Sequence, residues 1–153
     1  MAYVTAEARQ DLLREIAGAI DVLAQALAAL GAAYELLDEH AADTLEEQLF
    51  RSVQVAYGRA QRTHASFAQR YSLRGRAFAP PRNVGGGSAT ATDLVDSAVE
   101  RVEEADTMLA DLQDSMRPVE VGDPELRAGM AEVRTLLGDV PGKARRLQSV
   151  LGR

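Results

Sequence analysis

The fold is decided by Leu13-Arg-Glu-Ile16-Ala-Gly-Ala-Ile20-Asp-Val-Leu23-Ala-Gln-Ala-Leu27-Ala-Ala-Leu30. Its large apolar residues recur in alternating steps of three and four. That spacing lines one face of an α-helix and meshes with a similar face on another helix. The seam continues through Tyr34 and Leu37, so a helix over 5–40 is predicted, roughly 50 Å long at about 1.5 Å per residue. Glu7 and Asp11 sit early in it, where the helix dipole favours negative charge.

Three more seams follow. Phe50, Val53, Tyr57, Ala60, His64, Phe67 and Tyr71 predict a helix over 44–73. Thr44 followed by Glu47 reads as the capping box that opens it, and Gly75 as its stop. Val95, Ala98, Val102, Ala105, Leu109, Leu112 and Met116 predict a helix over 92–117, closed by Pro118. Leu126, Met130, Val133, Leu137, Val140, Ala144, Leu147 and Leu151 predict the last, over 124–151, with Asp123 as cap and a kink near Gly138 and Pro141-Gly142. Leu12, Val22, Leu36, Leu45, Leu49, Leu94, Val99 and Leu136 widen these faces as a four-helix core requires.

Residues 74–89 form the one long connection, with Pro80-Pro81 and Gly85-Gly86-Gly87. Phe78, within Ala77-Phe78-Ala79, is placed to fasten this loop to the bundle. Nothing alternates at a strand's period, so no sheet is expected. The pattern predicts one all-α domain over 1–153: an antiparallel up-down-up-down four-helix bundle with a long Pro/Gly loop between helices 2 and 3.

Composition removes several chemistries. A chain of 153 residues buries a core without staples, and with no Cys it has no disulfide, iron–sulfur or thiolate zinc site. The only histidines are His40 and His64. The residues three before them are Leu37 and Gln61, so the Glu-x-x-His pairs of a di-metal bundle are missing. No metal or cofactor is expected. No Gly-rich loop leads into a Lys, which excludes a P-loop. The N-terminus lacks a basic patch before an apolar run, and Val22–Ala33 is short and broken by Gln25. A cytoplasmic protein without a membrane span is expected.

Charge is unevenly distributed. The net charge is −6, yet residues 49–92 hold no Asp or Glu and seven Arg. Of these, Arg70, Arg74, Arg76 and Arg82 are candidate anion-binding residues, for a phosphate or nucleic acid. Pairing with the acidic first helix is the plainer use of them, because mixed surface charge is the rule.

Two short motifs carry resemblances. Arg59-Ala-Gln-Arg-Thr-His64 resembles the Arg-x4-His motif of HEPN-type ribonucleases, helical bundles that cut RNA at a dimer interface. The resemblance implies that Arg59 holds the scissile phosphate and His64 transfers a proton. Ala60 departs from the polar residue usual after that Arg, and the motif lies mid-chain. The seam itself assigns His64 to the core. Tyr34-Glu-Leu-Leu-Asp38 is similar to the Tyr-x-x-x-Asp signal of type VII secretion substrates, without their Trp-x-Gly turn, and Tyr34 is already a seam residue.

No catalytic constellation emerges from these residues. The expected function is protein–protein interaction by a non-catalytic bundle, structural or adaptor in role, whose partner is itself as a homodimer or another helical protein. A HEPN-like ribonuclease using Arg59 and His64 is the alternative. Anion or nucleic-acid binding through the Arg-rich segment is the second.

Overall fold

A computed structural model describes residues 2–79 and 88–151, with side chains described from Thr5 onward. The described residues are helical throughout their regular structure. The elements are α1 (Ala2–Leu36), α2 (Glu39–Leu45), a π-helical turn (Glu46–Phe50), α3 (Arg51–Arg70), α4 (Ala91–Asp114), α5 (Arg117–Glu120), α6 (Pro124–Gly138) and α7 (Val140–Leu151). α2, the π turn and α3 form one column, and α6 with α7 another, so four columns make the bundle.

The helix boundaries have local causes. α1 breaks at Leu37–Asp38, short of the predicted residue 40, because Asp38 caps the next helix by accepting from the Ala41 amide at 2.8 Å. The second column therefore starts at Glu39, not Thr44. The Thr44 hydroxyl donates instead to the His40 carbonyl inside the helix. α3 ends at Arg70 rather than near Gly75. Ser72 turns left-handed at φ 53°, and the Leu73 amide donates back to the Ala68 carbonyl at 2.8 Å, satisfying the helix end. α4 opens with a capping box formed by Thr90 and Asp93. It stops at Asp114, where Met116 at φ 68° turns the chain into α5. Asp123 caps α6 as the sequence indicates, its carboxylate accepting from the Leu126 amide at 2.7 Å.

The packing corrects the up-down-up-down order. α1 packs on α3 and on α4, and α6 packs on the same two. Each of these pairs is antiparallel. Arg74 is bonded to Gln10 near the start of α1, while Phe50 lies by Tyr34 near its end. Arg117, just past α4, pairs with Glu15, and Gln148 near the end of α7 donates to Thr92 and Asp96 at the start of α4. Arg70 meets Asp123 and Lys143 meets Ser52 across α3 and the α6–α7 column. Two helices that are each antiparallel to α1 must be parallel to each other, so the order is up-down-down-up. α3 and α4 occupy opposite corners of the bundle.

The long connection makes this order feasible. An antiparallel helix pair needs only about two to eight linking residues. Residues 71–90 can instead reach about 65 Å when extended, ample to climb the roughly 36 Å of a 24-residue helix. The described part of this segment, Leu73–Ala79, climbs the groove between α1 and α3. Arg74 lies at Gln10, Arg76 pairs with Asp21, and the Ala79 carbonyl accepts from the Tyr57 hydroxyl at 3.4 Å. Residues 80–87, with Pro80-Pro81, Arg82 and the glycine run, lie outside the described residues.

The seams meet in one core. Leu13, Ile16, Ile20, Leu23, Leu27 and Leu30 are buried together with Val53, Phe67, Val102, Leu109, Met130 and Leu137. Two expected seam residues depart: Tyr34 is 39% exposed, and Met116 lies in the turn after α4, also exposed. α1 is buried almost all round over 26–30. Its Thr5–Leu36 portion is long and apolar enough by length and composition to cross a membrane, contrary to the short stretch expected from Val22–Ala33. Its most apolar window is 72% buried inside the bundle, so its apolar surface is used in packing against the other helices.

Candidate functional site

The features with the most chemistry on this surface surround α3. His64 points into the bundle from the α3 seam and is 2% exposed. The connecting segment Leu73–Ala79 closes over it as a strap: the Phe78 ring stands edge-on to the imidazole, with centroids 5.1 Å apart, and a side chain at Gly75 would come within 4.0 Å of it. Arg76 lies over the Phe78 ring at 4.4 Å and pairs with Asp21. Burial first, and the nearby Arg76 charge second, push the His64 pKa below its ordinary value. The histidine is therefore biased toward its neutral form beneath Phe78 and Arg76.

Arg59 leaves α3 in another direction. Five residues along a helix is about 140° of rotation, so the two side chains diverge. The Arg59 Nε donates to Glu132 of α6 at 2.7 Å. The structure does not bring Arg59 and His64 to a common opening, and solvent reaches the imidazole only marginally. The Arg-x4-His spacing is present without the cleft that phosphate chemistry requires.

The anion candidates are dispersed. Arg70 donates to both carboxylate oxygens of Asp123, at 2.6 and 2.8 Å, and its remaining nitrogen meets Ser66 and Glu125. Burial works against ionised Asp123, but the Arg70 and Leu126 hydrogen bonds outweigh it and hold the carboxyl below its ordinary range. Arg76 is taken by Asp21. Arg74 contributes backbone groups to Gln10 and leaves its side chain exposed. Arg82 lies outside the described residues. The acids that meet this segment are Asp21 of α1 for Arg76, and Asp123 and Glu125 for Arg70, because α6 as well as α1 flanks α3. Glu15 pairs with Arg117 instead.

Sequence reasoning missed the acids that neutralise the Arg run. Asp123 was legible as a helix cap, but not as the partner of Arg70, since that pairing depends on which column adjoins α3. Arg9 was also missed: it stacks 4.0 Å over Tyr71 and donates to the Val121 carbonyl at 2.8 Å, fastening the α5 turn to the bundle. The described residues also form two surface grooves. One is lined by Gly31, Tyr34, Glu35, Glu46 and Phe50, the other by Glu15, Gly18, Met108, Asp111, Leu112 and Arg117. Among the described residues, no group of three or more His, Asp or Glu is arranged to hold a metal ion. Comparison with protein-family models, with curated proteins and with solved structures finds no match to this chain.

Proposed function

We propose that this chain is a non-catalytic helical-bundle protein that works through protein–protein contact, as a structural element or adaptor. One observation carries the reading. His64, the single candidate for proton transfer on the Arg-x4-His motif, is sealed beneath Phe78, while Arg59 is committed to Glu132 on α6. A ribonuclease needs the phosphate-holding cation and the proton-transferring group around one accessible phosphate. Arg70 and Arg134 are likewise spent on joining neighbouring columns, through Asp123 and Asp106. The exposed apolar residues Leu36, Val55, Val119 and Val150 supply surface for contact with other helices.

The test is an RNA-cleavage assay with single-stranded and hairpin RNA, using the wild-type protein and a His64→Ala variant. No cleavage above buffer by either protein is expected. Cleavage by the wild type that His64→Ala abolishes would overturn the reading.

A further inference from the structure

The solvent faces of α3 and α4 are chemical complements. On α3 the face opposite the seam carries Arg51, Val55, Gly58, Arg62 and Ala65, with no acid along its length. Val55 is 49% exposed there. Gly58 and Ala65 keep the centre of the face low, so that a second helix can approach closely. Arg51 and Arg62 are exposed and form no ion pair among the described residues.

On α4 the face opposite the seam carries Asp93, Glu100, Glu103, Asp111 and Asp114, all exposed. Glu100 and Glu103, and Asp111 and Asp114, are each three apart, and like charges at that spacing on one helix repel. Glu103 and Asp111 have no ion-pair partner among the described residues. The two faces also match in length, about 30 Å for the 20 residues of α3 and about 36 Å for the 24 of α4.

We propose that the chain assembles with itself, the outer face of α3 on one copy receiving the outer face of α4 on the next. This deepens the protein-contact reading above and rests on it. The bundle geometry fixes the kind of assembly. α3 and α4 stand at opposite corners, so a copy that covers α3 cannot also reach α4 of the same molecule. The contact is head-to-tail, which builds rings or open chains, not a two-fold dimer. This assembly differs from the homodimer expected from sequence, and it does not use the Arg70–Arg76 cluster. Those side chains are already paired within the chain, apart from Arg74.

Sedimentation velocity of the full chain at tens of micromolar, in low salt and in about 1 M salt, tests this. Species larger than a dimer are expected in low salt, with association weakened about tenfold or more when the Debye length falls to about 3 Å. Two surface variants refine the test: Arg51→Glu with Arg62→Glu, and Glu103→Arg with Asp111→Arg. Circular dichroism verifies that each folds. Each alone is expected to be monomeric, since its altered face repels its own complement. Their equimolar mixture is expected to regain species beyond a dimer, because the reversed faces complement each other.

A wild type that stays monomeric in low salt would overturn the proposal, as would a discrete dimer indifferent to both variants. A monomer that retains RNA through Arg51 and Arg62 would overturn it in favour of a nucleic-acid face. These outcomes are separate from RNA cleavage, whose dependence on His64 decides the non-catalytic reading independently.

Discussion

Phe78 stands edge-on to His64, the ring planes 82° apart, and so joins the long connection to the middle of α3. A neutral imidazole fits this place. An imidazolium would sit in an apolar site beside the positive Arg76, which itself is held by Asp21.

That arrangement predicts a pH dependence. The folded pKa of His64 lies below its ordinary 6.5, so near and below that pH the unfolded chain takes up a proton that the folded one refuses. The contribution is fully present above about 6.5 and is lost as pH falls toward the lowered folded value. Urea denaturation at pH 7.5 and 5.5, compared between wild type and His64→Phe, isolates it. The wild type should lose more stability across that interval, and equal losses would refute the assignment.

Phe78→Ala should unfasten the strap. An edge-on aromatic pair contributes about 0.5–1.5 kcal/mol beyond its buried area, so a loss of about 1–3 kcal/mol is expected. With water admitted, the His64 pKa should rise toward 6.5, as read from its imidazole proton shifts by NMR. A titration that does not move would place the cover elsewhere.

Gly129 of α6 lies directly against Thr63 of α3. A Cβ there would lie 2.5 Å from the Thr63 hydroxyl and 2.7 Å from its methyl. Gly129→Ala should therefore cost about 1–3 kcal/mol by overpacking. Adding Thr63→Ala should recover part of the loss in a double-mutant cycle on thermal melts. Additive effects would show that the helices part freely.

Ser72 and Met116 both occupy left-handed backbone, at φ 53° and 68°. An L-residue there costs roughly 1–2 kcal/mol, and Gly removes that strain while making the unfolded chain more flexible. Ser72→Gly should accordingly raise stability by about 0.5–1 kcal/mol in chemical denaturation. A loss would mean that the serine side chain contributes more than its backbone conformation costs.

Much of this protein is legible in its sequence, and the rest is illegible for definable reasons. The seams were readable because burial repeats at the helical period, and His64, Phe67 and Leu109 lie where that period puts them. Phe78 was readable as the one aromatic residue in the long connection. The start of the second column was misread because Thr44 and Glu47 imitate a capping box while Asp38, six residues earlier, does the capping. The connectivity was misread because periodicity says which face is buried but not against which neighbour. The length of 71–90 was the available signal: a hairpin turn does not use that much chain, whereas a traverse does. The partners of Arg70 and Arg59 could not be named without that neighbour relation, since Asp123 and Glu132 are 53 and 73 residues away.

The up-down-down-up order has a kinetic consequence. In a bundle joined by short turns, each new helix can dock on the one just formed. Here α4 must instead find α1, and the pair Glu15–Arg117 closes a span of 102 residues. Contacts so distant along the chain require costly loop closure before they repay it, and proteins dominated by them fold slowly. This all-helical chain is accordingly expected to refold more slowly than a bundle of the same size joined by short turns, with α1 and α3 zipping early.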